Sequence, residues 1–213
     1  MSSTGHRPDG RLTRESLLHG VTTLCEWDAD LAAVVDRFGA PPLWLRRPGF
    51  ATLARIILEQ QVSLASAKAI VRRVQRGLGR VTPHRVVIHS ADHLRTLGLT
   101  RQKAAYVWNL ADVLVRKEFD LRAVHLAPDE QARDLLVTIK GVGPWTADIY
   151  LLMAMGRPDV WPTGDLALAS AMRRVKRLRT TPVAERQSRI AAAWRPWRSV
   201  AARILWHAYL SER

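Results

Sequence analysis

Two glycines, Gly141 and Gly143, lie in the stretch VTIKGVGPWTAD between two segments with helical periodicity. Glycine permits positive φ angles and lets another backbone approach closely. A helix that begins at Pro144 presents unpaired N–H groups, and these donors together with the helix dipole bind an anion such as phosphate. Val142 would plug the hairpin into the core, and Lys140 would add charge. The spacing fits a phosphate-binding hairpin and a plain turn between two helices equally, and the basic charge of the chain favours phosphate.

One carboxylate, Asp165, ends the loop GRPDVWPTGD that follows the second helix of this hairpin. A fixed carboxylate stabilises positive charge that develops on a reacting group, most strongly where water is excluded. The same residue is also placed as a helix N-cap, because an apolar periodic segment begins directly after it. The residue types alone leave both roles open.

The charge of the chain favours a polyanionic partner. The 213 residues include 33 Lys and Arg against 19 Asp and Glu, for a formal net charge of +14. From Ala171 to Arg213 the only acids are Glu185 and Glu212, and the basic residues are mainly arginine, which suits phosphate. Nucleic acid is the usual partner of such a chain, although a solvated basic face would give the same composition.

Composition also excludes several kinds of site. The single cysteine, Cys25, rules out an internal disulfide and a four-cysteine zinc or iron–sulfur site, and we expect it to be a buried apolar residue. No apolar run approaches the roughly 20 residues of a membrane span, and the N-terminus has no signal-peptide core. We expect a cytoplasmic, nucleoid-associated monomer that needs no metal or cofactor and contacts no membrane.

Helical periodicity recurs along the chain and strand-like alternation is scarce, so the sequence predicts an all-α fold. Asp28, Ser63, Thr100 and Pro128 stand where helices should begin. The proline-rich stretch from residue 39 to residue 49 is the best candidate for a boundary between two lobes.

The segment LVTIKGVGPWTADIYLLMAMGRPDVWPTGDLAL resembles the hairpin, glycine/proline-rich loop and aspartate of the helix-hairpin-helix (HhH-GPD) superfamily of base-excision DNA glycosylases. On either side of it, ILEQQVSLASA, LGLTRQKAAYVWNLA and WRPWRSVAARILW resemble the 3-methyladenine DNA glycosylase II branch. The resemblance covers the chain from Phe50 to Leu210, and the order of the motifs makes it specific.

The resemblance implies two helical lobes that flank a DNA-binding cleft. Residues 1–48 with 156–213 would form one lobe and residues 49–155 the other, with the helix-hairpin-helix at about 129–155. Larger members of the family carry an additional N-terminal β-rich domain. The residues before Phe50 read as helices here, which indicates a compact form.

The resemblance also implies a catalytic role for Asp165. In the family, the matching aspartate stabilises the oxocarbenium-like sugar as the N-glycosidic bond breaks, and orients or deprotonates the attacking water. Bifunctional members carry a lysine nucleophile just after the hairpin, because a Schiff base needs an amine. The matching residue here is Trp145, and Lys140 lies too early to match, so we expect hydrolysis without a lyase step.

Further residues are assigned to DNA and to the base by the same resemblance. The residues expected at the DNA backbone are Lys140, Gly141, Gly143 and Thr146. Gln61 matches the wedge that fills the gap left by a flipped nucleotide, and Gln60 adjoins it; ordinary turn residues would look the same.

Aromatic residues are expected to hold a cationic alkylated base, because cation–π contacts contribute ~0.5–2 kcal/mol each. Trp145 matches a family tryptophan at the cleft. Weaker candidates for the base pocket are Tyr106, Trp108, Trp161 and Trp206. We expect Trp27, Trp44 and Trp194 to pack in the core instead.

The predicted function is hydrolysis of alkylated, cationic purines from double-stranded DNA by a monofunctional glycosylase in base excision repair. One alternative is a glycosylase for another damaged base. Another is a non-catalytic helix-hairpin-helix DNA-binding protein, which explains the charge and the glycines but not Asp165 or the QQ turn. A general RNA-binding protein explains only the charge. The sequence does not identify the preferred lesion.

Overall fold

The computed structural model describes residues 10–212, and every regular element within that range is helical. The α-helices are α1 Arg14–Trp27, α2 Ala29–Phe38, α3 Phe50–Glu59, α4 Leu64–Leu78, α5 Pro83–Ile88, α6 Ala91–Thr96, α7 Arg101–Val115, α8 Leu121–Leu126, α9 Asp129–Val137, α10 Pro144–Tyr150, α11 Leu166–Val175, α12 Ala184–Ala191 and α13 Arg198–Ser211. A π-helix, Leu151–Met155, follows α10, and a 3-10 turn, Ala192–Trp194, follows α12. The prediction of an all-α fold is confirmed. In the part of the chain described, every helix is too short or too polar to span a bilayer.

Helices begin where the sequence predicts a capping residue. The Asp28 carboxylate accepts from the N–H groups of Asp30 and Leu31 at the start of α2. Ser63 and Thr100 cap α4 and α7 in the same way. These short polar side chains satisfy N–H donors that have no partner inside the helix, which is why local residue types located the helix starts well.

The described chain divides into two compact units. The terminal unit consists of residues 10–45 and 151–212, and the central unit consists of residues 46–150. The lobes expected from the sequence, 1–48 with 156–213 and 49–155, stay a prediction. Residues 1–9 and 213 of that assignment lie outside the described residues.

A buried arginine lies in the interior of the terminal unit and bonds to three backbone carbonyl groups. Arg203 of α13 has no exposed surface, and its guanidinium donates to the carbonyl oxygens of Leu43, Leu152 and Ser199, each at 2.9 Å. Burial lowers the pKa of Arg203. A buried charge is tolerated only when it is hydrogen-bonded, so these three carbonyls are what allow arginine at this position.

A second polar cluster in the terminal unit joins the start of α2 to the end of α11. Lys176 Nζ donates to Asp28 at 2.7 Å and to Asp30 at 2.8 Å, and Trp194 Nε1 donates to Asp28 at 2.8 Å. Burial alone would raise the pKa of Asp28, but the hydrogen bonds from Lys176 and Trp194 outweigh it and lower the pKa. Asp28 therefore caps α2 and also forms an ion pair with Lys176.

The central unit is organised around α7, which packs against α3, α5 and α6. Its buried face carries Ala104, Val107, Leu110 and Ala111 at helical spacing. Lys103 lies on the same face and is only 9% exposed. A lysine among apolar residues needs acceptors for its ammonium group, and these are described with the site below.

Two expectations about individual residues are wrong. Trp27 is 53% exposed rather than packed in the core. Its spacing from Leu24 continues the buried stripe of α1, but the helix ends at Trp27 and the packing does not extend to it. Cys25 is half-buried rather than buried, and burial followed by nearby carboxylates raises the pKa of its thiol. Trp194 is buried as expected, and Trp44 is half-buried.

Candidate active site

The loop that carries Asp165 is anchored by the first residues of α13. The Arg198 guanidinium donates to both carboxylate oxygens of Asp159, with Nε–Oδ1 at 2.8 Å and Nη2–Oδ2 at 3.0 Å. Ser199 Oγ accepts from the N–H of Val160 at 2.9 Å and donates to its carbonyl oxygen at 3.0 Å. A bidentate ion pair and a reciprocal backbone contact fix the loop in register with the helix.

Asp165 is the N-cap of α11 and is 8% exposed. Its Oδ1 accepts from the N–H of Leu168 at 2.9 Å, and Trp206 Nε1 of α13 donates to the same oxygen at 3.3 Å. Gly164, directly before it, has a φ of 84°, which favours glycine. The side chain is therefore a cap and a rigidly held charge at once, and fixed charge is what stabilises a developing cation.

Two of the candidate pocket tryptophans lie in the interior of the terminal unit. Trp161 is 2% exposed and stacks at a tilt on Trp194, with ring centroids 5.6 Å apart. Its buried Nε1 has no hydrogen-bond partner among the described residues, which is unusual for an indole. Trp206 is 7% exposed and bonded to Asp165. A role for either in base binding stays a prediction.

The hairpin between α9 and α10 has the predicted glycines in two different environments. Val142 is buried, as expected of the residue that plugs the hairpin into the core. Gly141 has a φ of 93°, and a Cβ there would collide with the ring of Tyr106. Gly143 has open space where a Cβ would lie, and Lys140 is exposed. Gly141 is required by the fold, whereas Gly143 leaves room for another backbone.

The turn at residues 60–63, called here the wedge turn, is tied to this hairpin. Gln60 Nε2 donates to the carbonyl oxygen of Gly141 at 3.1 Å and to Thr146 Oγ1 at 2.7 Å. Thr146 is 1% exposed and its side-chain oxygen accepts from Gln60, so its role at the DNA backbone stays a prediction. Three residues that the sequence assigned to DNA contact thus meet inside the central unit.

Gln61 differs from its neighbour. It is exposed and has a φ of 53°, in the left-handed region that few non-glycine residues adopt. Such a conformation costs about 1–3 kcal/mol and persists only where the surrounding structure fixes it. Residues held in this way concentrate at functional sites, so the geometry singles out Gln61 within the QQ pair.

The remaining aromatic candidates lie in the central unit. Trp145 is half-buried at the start of α10. The ring of Tyr106 covers Gly141, and its hydroxyl lies 2.7 Å from Gln102 Nε2. Trp108 Nε1 donates to the carbonyl oxygen of His89 at 3.1 Å. Tyr106 and Trp108 have clear structural contacts, and their place in a base pocket stays a prediction.

Sequence reasoning missed one residue of the central unit. Lys103 Nζ donates to the carbonyl oxygens of Leu58 at 2.8 Å and Gln60 at 2.7 Å. The available signal was a lysine on the apolar face of α7, one residue before Ala104 and four before Val107. Arg198 and Ser199 were part of a quoted motif but had no assigned role.

The candidate residues fall into both units. Asp165, Trp161 and Trp206 belong to the terminal unit. The central unit contains Gln60, Gln61, Tyr106, Trp108, Lys140, Gly141, Gly143, Trp145 and Thr146. Across residues 10–212, no three His, Cys, Asp or Glu side chains cluster as metal ligands would.

A tight helical hairpin, followed by a glycine/proline loop that ends in a fixed aspartate, defines the class of helix-hairpin-helix repair proteins. Residues 54–198 match the HhH-GPD superfamily of base excision DNA repair proteins. The match covers more than half of the chain, and the chain belongs to this superfamily.

Named relatives and solved structures are similar over most of the chain. DNA-3-methyladenine glycosylase 2 of Escherichia coli is 30% identical over 188 residues, which cover 81% of this chain and 64% of that protein. The Bacillus halodurans DNA-3-methyladenine glycosidase structure has a TM-score of 0.74 and 26% identity, covering 91% of each chain. The Schizosaccharomyces pombe 3-methyladenine DNA glycosylase bound to abasic DNA has a TM-score of 0.78 and 24% identity, covering 88% of this chain and 95% of that one. A Mycobacterium tuberculosis relative, described as a bifunctional transcriptional activator and DNA repair enzyme, is 31% identical, and the chain spans 40% of its length.

Proposed function

We propose that this protein is a monofunctional DNA glycosylase that hydrolyses the N-glycosidic bond of alkylated purines in double-stranded DNA. Membership in the superfamily supports glycosylase chemistry, and relatives named as 3-methyladenine glycosylases support an alkylated substrate. The observation that carries the proposal is the Asp165 carboxylate, held by the Leu168 N–H and by Trp206.

In the proposed reaction, positive charge develops on the sugar, and the Asp165 carboxylate would stabilise it. As the bond between C1′ and the base breaks, the base takes both bonding electrons and the sugar becomes positive. An alkylated purine is itself cationic and leaves as a neutral base, so it needs little help from a general acid. Water then adds to C1′ and loses a proton. A preorganised carboxylate stabilises the cationic sugar without having to reorganise, and it can accept that proton.

The backbone of the DNA would be held by the hairpin. Lys140 is exposed and Gly143 has open space beside its α-carbon, so a phosphate can approach the N–H groups at the start of α10. Thr146 is buried and bonded to Gln60, so it would hold the hairpin to the wedge turn. Gln61 would fill the space that the flipped nucleotide leaves.

Hydrolysis without strand cleavage follows from the residue at the position of the family's lysine nucleophile. A Schiff base needs an amine, and that position is occupied by Trp145. Lys140 precedes both hairpin glycines and does not replace it. The abasic product is therefore expected to leave the enzyme with its strand intact.

A panel of duplexes tests substrate and reaction together. Each duplex carries one lesion: 3-methyladenine, 7-methylguanine, ethenoadenine, hypoxanthine or 8-oxoguanine. We expect abasic sites to form from the cationic alkylated purines and to become strand breaks only after alkali. Release from the oxidised base alone would favour the alternative glycosylase, and breaks without alkali would contradict the hydrolysis-only mechanism.

A further inference from the structure

The wedge turn follows the end of α3, where helix carbonyl groups lose their partners. Helices commonly end with a glycine in the left-handed region, which satisfies those carbonyls at no steric cost. Here the C-cap is Gln60 in an extended conformation, and the left-handed residue after it is Gln61. A residue other than glycine must therefore be held in place by contacts from outside the turn.

Lys103 supplies the contacts on one side. Its ammonium group donates to the carbonyl oxygens of Leu58 and Gln60, one in the last turn of α3 and one directly before Gln61. Cationic groups are favourable at a helix C-terminus, where carbonyl dipoles point outward. Burial lowers the pKa of Lys103.

The hairpin supplies the contacts on the other side. The Gln60 side chain donates to Gly141 and Thr146, so its carbonyl oxygen and its amide are held by different elements. The ring of Tyr106, one turn after Lys103 on α7, covers Gly141. Helix α7 therefore touches both the wedge turn and the hairpin within the central unit.

Another cation at a helix end of the central unit is placed differently. Arg85 Nη1 donates to the Leu78 carbonyl at 2.9 Å and closes the end of α4 from a more exposed position. Lys103 instead keeps a desolvated charge at the carbonyl that precedes the strained residue. Desolvating a charge is unfavourable. The burial of Lys103 is therefore better explained by the carbonyl groups that it holds than by a contribution to stability.

We propose that Lys103 is a positioning residue for base displacement, holding the carbonyl oxygens of Leu58 and Gln60 so that Gln61 stays projected to fill the space of the flipped nucleotide. This rests on the proposed function. Lys103 acts through the turn and does not touch the base.

The test is a double-mutant cycle between Lys103→Met and Gln61→Ala, with Arg85→Met as the matched control. Insertion is read from the fluorescence of 2-aminopurine placed opposite a tetrahydrofuran abasic-site analogue, because this readout needs no catalysis. Base release from 3-methyladenine duplex is measured in single turnover, and binding to undamaged duplex and thermal unfolding are measured alongside.

We expect Lys103→Met to lower the single-turnover rate by about tenfold or more and to reduce the fluorescence change, with binding to undamaged duplex nearly kept. The effect of Lys103→Met should largely disappear in the Gln61→Ala background, because residues that act through one another are not additive. Lys103→Arg should restore part of the rate. Arg85→Met should change stability without changing the fluorescence response.

The proposal is overturned if the rate losses of Lys103→Met and Gln61→Ala multiply in the double variant. It is also overturned if Lys103→Met, like Arg85→Met, leaves the fluorescence response unchanged. Lys103→Gln keeps one donor and is made in parallel; failure of both substitutions to fold would make Lys103 a folding residue and would also reject the proposal. If wild-type protein gives the fluorescence response but releases no base, the proposed function fails while the role of Lys103 is still decided by the cycle.

Discussion

Asp165 is an N-cap in the structure and the carboxylate of the proposed reaction, two roles that the sequence left as alternatives. One oxygen accepts from Leu168 as an N-cap and also from Trp206 of α13. The cap fixes where the carboxylate lies, and the carboxylate is the charge that the proposed reaction needs. Capping and catalysis are therefore not competing explanations for this residue, because the first provides the rigidity that the second requires.

The two hairpin glycines should respond differently to substitution. Gly141→Ala is expected to destabilise the protein by about 2 kcal/mol or more, because it adds a Cβ at positive φ against Tyr106. Gly143→Ala has open space, and its stability should stay within about 1 kcal/mol of wild type while DNA affinity falls. Urea unfolding and duplex binding measure the two effects. Equal loss of stability in both variants would contradict this account of the hairpin.

At the scale of helices, the contact of Asp28 with Lys176 ties α2 to α11 and makes stability depend on pH. The lowered pKa of Asp28 means that its contribution is present above the pKa of an unfolded aspartate, about 3.9, and is lost as pH falls through the folded value. Burial opposes ionisation of Lys176, but the bonds to Asp28 and Asp30 raise its pKa, so its contribution is lost only at strongly alkaline pH.

Asp28→Asn isolates this effect, because asparagine keeps the N-cap while it removes the charge. The variant should lose stability at neutral pH and show a flatter decline than wild type as the pH drops below about 4. Urea midpoints measured across that range are the readout. If the urea midpoints of the two proteins fall in parallel as the pH drops, Asp28 does not contribute to the acid sensitivity.

Local residue types predicted the helical elements well, and long-range contacts explain what they missed. Asp28, Ser63 and Thr100 could be identified because a cap acts within three residues. Two acceptors of Arg203, Leu43 and Leu152, and both acceptors of Lys103 lie far away in sequence, so local residue types could not predict these contacts. The ordered motifs predicted a candidate site with Gln61 as the wedge and Gln60 beside it, but they did not predict that Gln60 is bonded to the hairpin or that Gln61 has a positive φ.

At the scale of the whole molecule, the net charge of +14 should make DNA binding strongly dependent on salt. Each neutralised phosphate contributes about −0.9 to the slope of log affinity against log salt concentration. Lys140→Gln should reduce the magnitude of that slope by about one, on damaged and undamaged duplex alike. Lys117→Gln, in the turn after α7, removes the same charge as a control. An unchanged slope for Lys140→Gln would remove this residue from the DNA contact.

The most direct test of the central claim compares wild-type protein with Asp165→Asn on duplex that contains 3-methyladenine. Asparagine is as good an N-cap as aspartate, so the fold and the affinity for duplex should be kept. The account predicts that wild-type protein forms abasic sites and that Asp165→Asn loses at least about a hundredfold in single-turnover rate. Base release by Asp165→Asn at the wild-type rate would contradict it.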